Sequence, residues 1–340
     1  MNLVKKRNYP LDLIRVIACL MVVLMHSPMP SEKASGLFLG LLSYATAPCI
    51  GLFLMVSGAL LLPVKEETGT FLKRRLGKIL GPTLVWSLIY IGYNHYQGTD
   101  HSWWKEILSL PFSPQGHGVM WFMYTLTGLY LIAPVLSKWL QACSKRELEF
   151  YLLLWVVTLC YPLLRLFLSI QTGETGILYY CTGYVGYFLL GHYLNKYPEV
   201  VSWRFLLPAV FMALLAPVFC KWKQYEVDFY SLFWYLSIFV VILCTAWFKG
   251  LSQYGKLILE QEKIQIGITW VSNLSFGIYL MHIFVMRYMI WRWTWIQNMD
   301  NYIGQTLLIV VLTFLLSVLG CYLLSWIPGA AYLIGYKQKK

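Results

Sequence analysis

Runs of about twenty apolar residues recur along nearly the whole chain, separated by short polar stretches, and few folds tolerate that pattern. A helix needs roughly 20 residues, at about 1.5 Å each, to cross the roughly 30 Å hydrocarbon core of a bilayer. Ten segments approach or exceed that length: 12–29, 36–62, 79–97, 119–137, 148–169, 176–195, 204–220, 229–248, 267–290 and 303–327. The supply of charge agrees. Only 12% of the residues are charged and 59% are hydrophobic, whereas a soluble domain devotes roughly a quarter of its residues to charge. The expectation is an all-α fold: a polytopic integral membrane helical bundle of about ten transmembrane helices, filling residues 1–340 as one domain. The first, third and sixth segments are less apolar than the rest, and Pro48 is expected to kink the second.

The net charge of +12 does not point to nucleic acid, because the Lys and Arg lie in short loops and form no extended basic face. With the N-terminus placed inside, 19 of them fall in inner segments and seven in outer ones, Arg15 lying within the first span. That asymmetry predicts cytoplasmic N- and C-termini in the plasma (inner) membrane. The eight cysteines are dispersed and form no Cys-x-x-Cys pair, so they read as small buried apolar groups. Lys5, Lys6 and Arg7 before an apolar stretch imitate a secretory signal, but Asp12 and Arg15 interrupt the stretch and no small-x-small cleavage site follows. An uncleaved first span is expected. The segment 98–118 carries Trp103 and Trp104 beside a span and is expected to lie in the membrane interface, and 250–266 reads as an inner loop with room for a short amphipathic helix.

The first span is the most informative for chemistry, because Asp12, Arg15 and His26 are costly in hydrocarbon. Arg15 and His26 are 11 residues apart, so on a helix they share a face about three turns, or about 16 Å, apart. Asp12 precedes Arg15 by three residues and lies within pairing reach. One stripe thus carries an anion, a cation and a titratable base. The same residues also fit an interfacial ion pair snorkelling to the inner surface, with His26 near the outer one. Helical geometry leaves both readings open.

Four stretches in order bring a family into view. The first span has Asp12-Leu-Ile-Arg15, then ten residues, then His26; the second has Phe53-Leu-Met-Val-Ser57-Gly58; the fourth has Trp121-Phe122 through Tyr130-Leu131 to Pro134; the ninth has Ser275-Phe-Gly277-Ile-Tyr279-Leu-Met-His282. Together they resemble the acyltransferase 3 family of integral membrane acyltransferases. The resemblance implies transfer of an acyl group, usually acetyl from acetyl-CoA, to a hydroxyl of a cell-surface glycan or lipid-linked saccharide. It implies that Arg15 and His26 are the essential pair. A sugar hydroxyl is a poor nucleophile until a base accepts its proton, and imidazole titrates near neutral pH, which suits His26. Arg15 then stabilises negative charge on the donor or reaction path, and Asp12 orients or neutralises it.

The donor phosphates call for cations near the cytoplasmic side, and Lys73, Arg74, Arg75 and Lys78 lead into the third span. The family's Arg-x-x-Arg pattern is replaced here by Arg75-Leu-Gly-Lys78, which loses one bidentate fork. The cluster also serves as a positive-inside anchor. His282, Trp121, Tyr124 and His117 are substrate-cavity candidates, though relatives often carry His where this chain has Val119, and His282 equally suits a structural hydrogen bond. No His/Cys/acid spacing suggests a metal. The expected partners are membrane lipid, acyl-CoA and a saccharide acceptor. The rival reading is a transporter or flippase of a glycan or lipid precursor, against which stands the lack of repeated halves.

Overall fold

The computed structural model describes residues 7–29, 36–98, 102–114, 118–170 and 176–338. In chain order the first eight α-helices are α1 (Tyr9–His26), α2 (Gly36–Thr46), α3 (Pro48–Leu61), α4 (Thr68–Tyr96), α5 (Trp103–Ser109), α6 (Trp121–Ala142), α7 (Lys145–Leu159) and α8 (Tyr161–Leu168). There follow α9 (Val185–Lys196), α10 (Trp203–Trp222), α11 (Phe229–Leu232), α12 (Ile238–Ile258), α13 (Glu262–Ile283), α14 (Thr294–Gln297), α15 (Tyr302–Ser325) and α16 (Ala330–Ile334). No strand occurs among the described residues. Seven segments among them are long and apolar enough to span a bilayer: Tyr9–His26, Phe38–Leu61, Lys145–Leu168, Trp203–Trp222, Ile238–Ile258, Glu262–Arg292 and Tyr302–Ser325. The protein is a multi-pass, all-helical membrane protein.

Local sequence accounts for the helix ends. Pro48 sits at the start of α3, where its missing N–H costs nothing, and the break at Ala47 divides the second apolar segment into α2 and α3 as its proline suggested. Glu67 caps α4 by accepting from the backbone N–H groups of Gly69 and Thr70, both at 2.8 Å, and these donors hold its carboxyl below the usual carboxylate range. Ser144 and Glu147 form a reciprocal capping box at the start of α7.

Two expectations need correcting. The segment 176–195 is not one long helix: α9 has only 12 residues, preceded by a 3-10 turn at Tyr179–Cys181. Twelve residues rise about 18 Å, too short to cross the hydrocarbon alone. The stretch 250–266, expected as a loop with room for a short helix, is instead the end of α12, which runs to Ile258, and the start of α13 at Glu262. A lone loop would expose backbone groups that the extended helices pair internally.

The chain forms two compact units, the first from Met1–Met21, Gly36–Pro63 and Leu136–Ser272, the second from Val22–Ser35, Val64–Val135 and Asn273–Lys340. In the first, α9 is buried against α3, and glycine makes this possible. A Cβ on Gly58 would lie 1.8 Å from the Phe188 carbonyl oxygen, and one on Gly191 would lie 2.0 Å from that of Met55. Small residues that admit close backbone approach are the usual seam between membrane helices, where the hydrophobic effect gives no help. Buried polar groups find partners nearby: Tyr187 donates to the Tyr235 carbonyl at 2.5 Å, and Lys249 to that of Pro198 at 3.0 Å.

In the second unit, α16 packs against α4, where the Trp86 indole donates to the Leu333 carbonyl at 2.8 Å. Gly335 ends α16 at φ +66°, a conformation that favours glycine. Tyr90 on α4 donates to the Leu280 carbonyl of α13 at 2.9 Å. Beyond Ile283 the backbone loosens into a π-helix over Phe284–Met289, a feature that often accompanies functional sites. The short α5 exposes Trp103 and Trp104.

Candidate active site

The first half of α1 carries its charges within the first unit. Asp12 is 5% exposed, and an isolated carboxylate at that depth would be costly. It is fully engaged instead. Its Oδ2 accepts from Arg7 Nε at 2.6 Å, and its Oδ1 accepts from the Ser272 hydroxyl at 2.7 Å. Arg15 donates to the same Ser272 oxygen at 3.0 Å and stands 3.5 Å from Asp12 Oδ1. Ser272 on α13 is therefore the hinge of the network, joining anion and cation through one hydroxyl. Sequence reasoning paired Asp12 with Arg15 and counted Arg7 as a topology charge. The closer ion pair is with Arg7, and Ser272 was missed altogether. Its only signal is its position one turn before Ser275 on the motif-bearing span.

The rank of two substitutions follows. Ser272→Ala removes a donor and an acceptor and should cost about 1–3 kcal/mol of stability. Asp12→Ala removes the acceptor of both the Arg7 guanidinium and the Ser272 hydroxyl and should cost more, because a charge-assisted bond is lost along with a neutral one. Thermal unfolding of detergent-purified variants checks the order, and a larger loss in Ser272→Ala would contradict the network.

In the second unit, the last turn of α1 brings His26 beside His282. The ring centroids are 5.4 Å apart with an interplanar angle of 35°. His282 is completely buried, and its Nδ1 lies 2.6 Å from the Tyr279 carbonyl oxygen. A carbonyl only accepts, so Nδ1 carries the proton, and Nε2 is buried without a hydrogen-bond partner. The sequence offered two roles for His282, structural or cavity-lining. It makes the structural bond through one nitrogen while the ring stands against His26. Tyr279 in turn donates to the Val119 carbonyl at 2.6 Å and stacks obliquely on Phe122, at 5.3 Å between centroids. The motif stretches of the fourth and ninth apolar segments thus meet beside this pair. Gly277 of the ninth lets Cys321 approach, since a Cβ there would lie 2.7 Å from the cysteine sulfur.

The remaining candidates are placed as follows. Trp121 is half-buried at the start of α6, with its ring edge-on to Phe122. Tyr124 donates to the Leu110 carbonyl at 2.5 Å, fastening α6 to the chain leaving α5. His117 lies outside the described residues. On α4, Arg74 is ion-paired with Glu66, Arg75 lies half-buried over the Phe71 ring at 6.0 Å, and Lys73 and Lys78 are exposed. Among the described residues no group of His, Cys, Asp and Glu has the spacing of a metal site.

Comparison with known proteins adds one finding. A family model describing an acyltransferase domain matches residues 8–326, nearly the full length. No curated protein and no solved structure matched the chain. The matched region contains all four motif stretches, the Asp12–Ser272–Arg15 network and the paired histidines. The chain belongs to the acyltransferase 3 family of membrane acyltransferases.

Proposed function

We propose that this protein is an O-acetyltransferase of the plasma (inner) membrane with cytoplasmic N- and C-termini, moving an acetyl or other short acyl group from acyl-CoA to a hydroxyl of a cell-surface glycan or lipid-linked saccharide. The observation that carries the reading is the environment of α1, whose Arg15 is held by Asp12 and Ser272 while His26 stands against His282. Neither feature is explained by anchoring at a lipid surface, where snorkelling side chains end in water.

The chemistry needs a base near the acceptor hydroxyl. His26 takes the hydroxyl proton as the oxygen attacks the thioester carbonyl. The tetrahedral intermediate collapses with cleavage of the C–S bond, and the imidazolium returns the proton to the departing CoA thiolate. The products are an O-acyl ester and CoA. His282 positions the His26 ring. Arg15 is about 16 Å below His26 along the helix, too far to touch the reacting carbon, so its charge serves the donor.

The exposed Lys73 and Lys78, with Arg74 and Arg75, supply cations for the donor phosphates. Replacing Arg74 and Arg75 together by Ala should weaken CoA binding about tenfold or more, the scale of one lost charge-assisted hydrogen bond. Acceptor binding should not change. Isothermal titration with CoA reads this directly, and loss of acceptor binding alone would refute the assignment. The reaction itself is tested by feeding inside-out vesicles radiolabelled acetyl-CoA. Label should pass to the saccharide or lipid fraction only where the protein is present. Vesicles that instead move an unmodified lipid-linked saccharide across the membrane, with no label transfer, would favour a flippase.

A further inference from the structure

Within the second unit, residues of α4, α5 and α6 line a cavity of about 490 Å³ whose lining includes neither His26 nor His282. Its lining carries no charged side chain. Leu80, Leu84 and Leu131 in its lining are each about half exposed on α4 and α6. These helices fall outside the seven described segments long and apolar enough to span alone, but they carry the apolar sequence segments 79–97 and 119–137, so an apolar surface of this kind suits contact with hydrocarbon. The cavity therefore opens sideways to the bilayer.

Four hydroxyls line it, and they divide into two pairs. Tyr124 donates to the Leu110 carbonyl at 2.5 Å and Thr127 to the Met123 carbonyl at 2.7 Å, so both are satisfied within the protein. Thr83 Oγ1 and Ser87 Oγ, one turn apart on α4, are buried without any hydrogen-bond partner. A buried hydroxyl without a partner destabilises the fold, and in hydrocarbon there is no water to repair it. Two donors one turn apart in an apolar cavity call for a ligand that is mostly hydrocarbon yet carries neutral acceptor oxygens.

We propose that this cavity binds an ester-linked acyl chain of an anionic glycerolipid entering from the bilayer, with Thr83 and Ser87 donating to its ester carbonyl oxygens. Several alternatives fit the lining less well. A purely aliphatic chain would leave both hydroxyls orphaned. A phosphate drawn inside, as from a polyprenyl phosphate, would meet no cation among the lining residues and would stay uncompensated. The lipid's own phosphate instead has a partner outside. Lys105 on α5 is exposed beside the two exposed tryptophans, with its ammonium 5.5 Å from the Trp104 ring. That is the arrangement of an interfacial cation at headgroup level. The proposed donors Thr83 and Ser87 have no part in the acyl-transfer reading, and of its substrate-cavity candidates only Tyr124, already bonded to the Leu110 carbonyl, lines this cavity.

The full-length protein in nanodiscs, doped with photoactivatable phosphatidylglycerol in ester-linked or matched ether-linked form, provides the test. Wild-type protein should cross-link the ester probe within α4 and α6, and should prefer it over the ether by about tenfold, since two modest hydrogen bonds are at stake. The double substitution Thr83→Val with Ser87→Ala should bring that preference to unity while cross-linking persists. A Cβ on Gly128 meets nothing within 4 Å, so Gly128→Trp can fill the cavity. It should abolish cross-linking in α4 and α6 while the size-exclusion profile stays monodisperse. Should Gly128→Trp misfold, the ester-to-ether ratio of the other variant still decides. Equal labelling of wild type by ester and ether probes, or displacement of the ester probe by polyprenyl phosphate at equal concentration, would overturn the proposal.

Discussion

Replacing His26 by Ala should lower acyl transfer by about 10²- to 10⁴-fold, the range over which a positioned general base accelerates a reaction. CoA affinity should be nearly unchanged, because the donor phosphates are assigned to α4 and the imidazole is needed only when the hydroxyl loses its proton. The measurement is initial rate of label transfer from acetyl-CoA in vesicles, with protein level equalised by immunoblot. A second substitution sharpens it. His282→Ala, which removes the ring beside His26 and frees the Tyr279 carbonyl, should reduce the rate by less than His26→Ala, since a positioning residue leaves the base in place. Equal rates in wild-type and His26→Ala vesicles would remove His26 from the mechanism.

The largest effect on stability is expected at the α3–α9 seam. In Gly58→Ala the new methyl would sit 1.8 Å from a backbone carbonyl oxygen, and in Gly191→Ala 2.0 Å from another. Neither neighbour is a flexible side-chain tip, so one helix must move away from the other. Overpacking costs about 1–3 kcal/mol in ordinary cores, and a clash with backbone belongs at or beyond the upper end. Gly92→Ala is the matched control: it also lies within a helix, but its Cβ would meet nothing within 4 Å. There, alanine should be neutral or stabilise by about 0.5–1 kcal/mol through its better helix propensity. Melting temperatures of the purified proteins separate the two cases. A Gly58→Ala protein as stable as Gly92→Ala would mean that α3 and α9 do not approach as closely as described.

The same seam shows how far the sequence can be read. Ser57-Gly58 was legible as a family motif, but its physical reason was not. The carbonyl that excludes a side chain at Gly58 comes from Phe188, 130 residues later, and no local pattern announces it. Likewise α9 contains enough apolar residues to pass as part of a span, yet its hydrophobicity serves burial within the protein rather than contact with lipid. Composition cannot separate those two uses of the same residues. Ser272 is a comparable case. A serine in a span is common, and only the fold reveals that this one binds both Asp12 and Arg15.

What the sequence determined alone was the solvent and the helical character of the chain. Apolar runs of bilayer length and scarce charge leave helices as the way to satisfy the backbone in lipid, and ordered motifs identified the family. What only the tertiary structure decided was the partner of each polar group. Asp12 reaches Arg7 and Ser272, His282 stands beside His26, and Thr83 with Ser87 is left unpaired at a cavity wall. The reason is that helical periodicity sets which residues share a face, while the element packed against that face comes from a distant part of the chain.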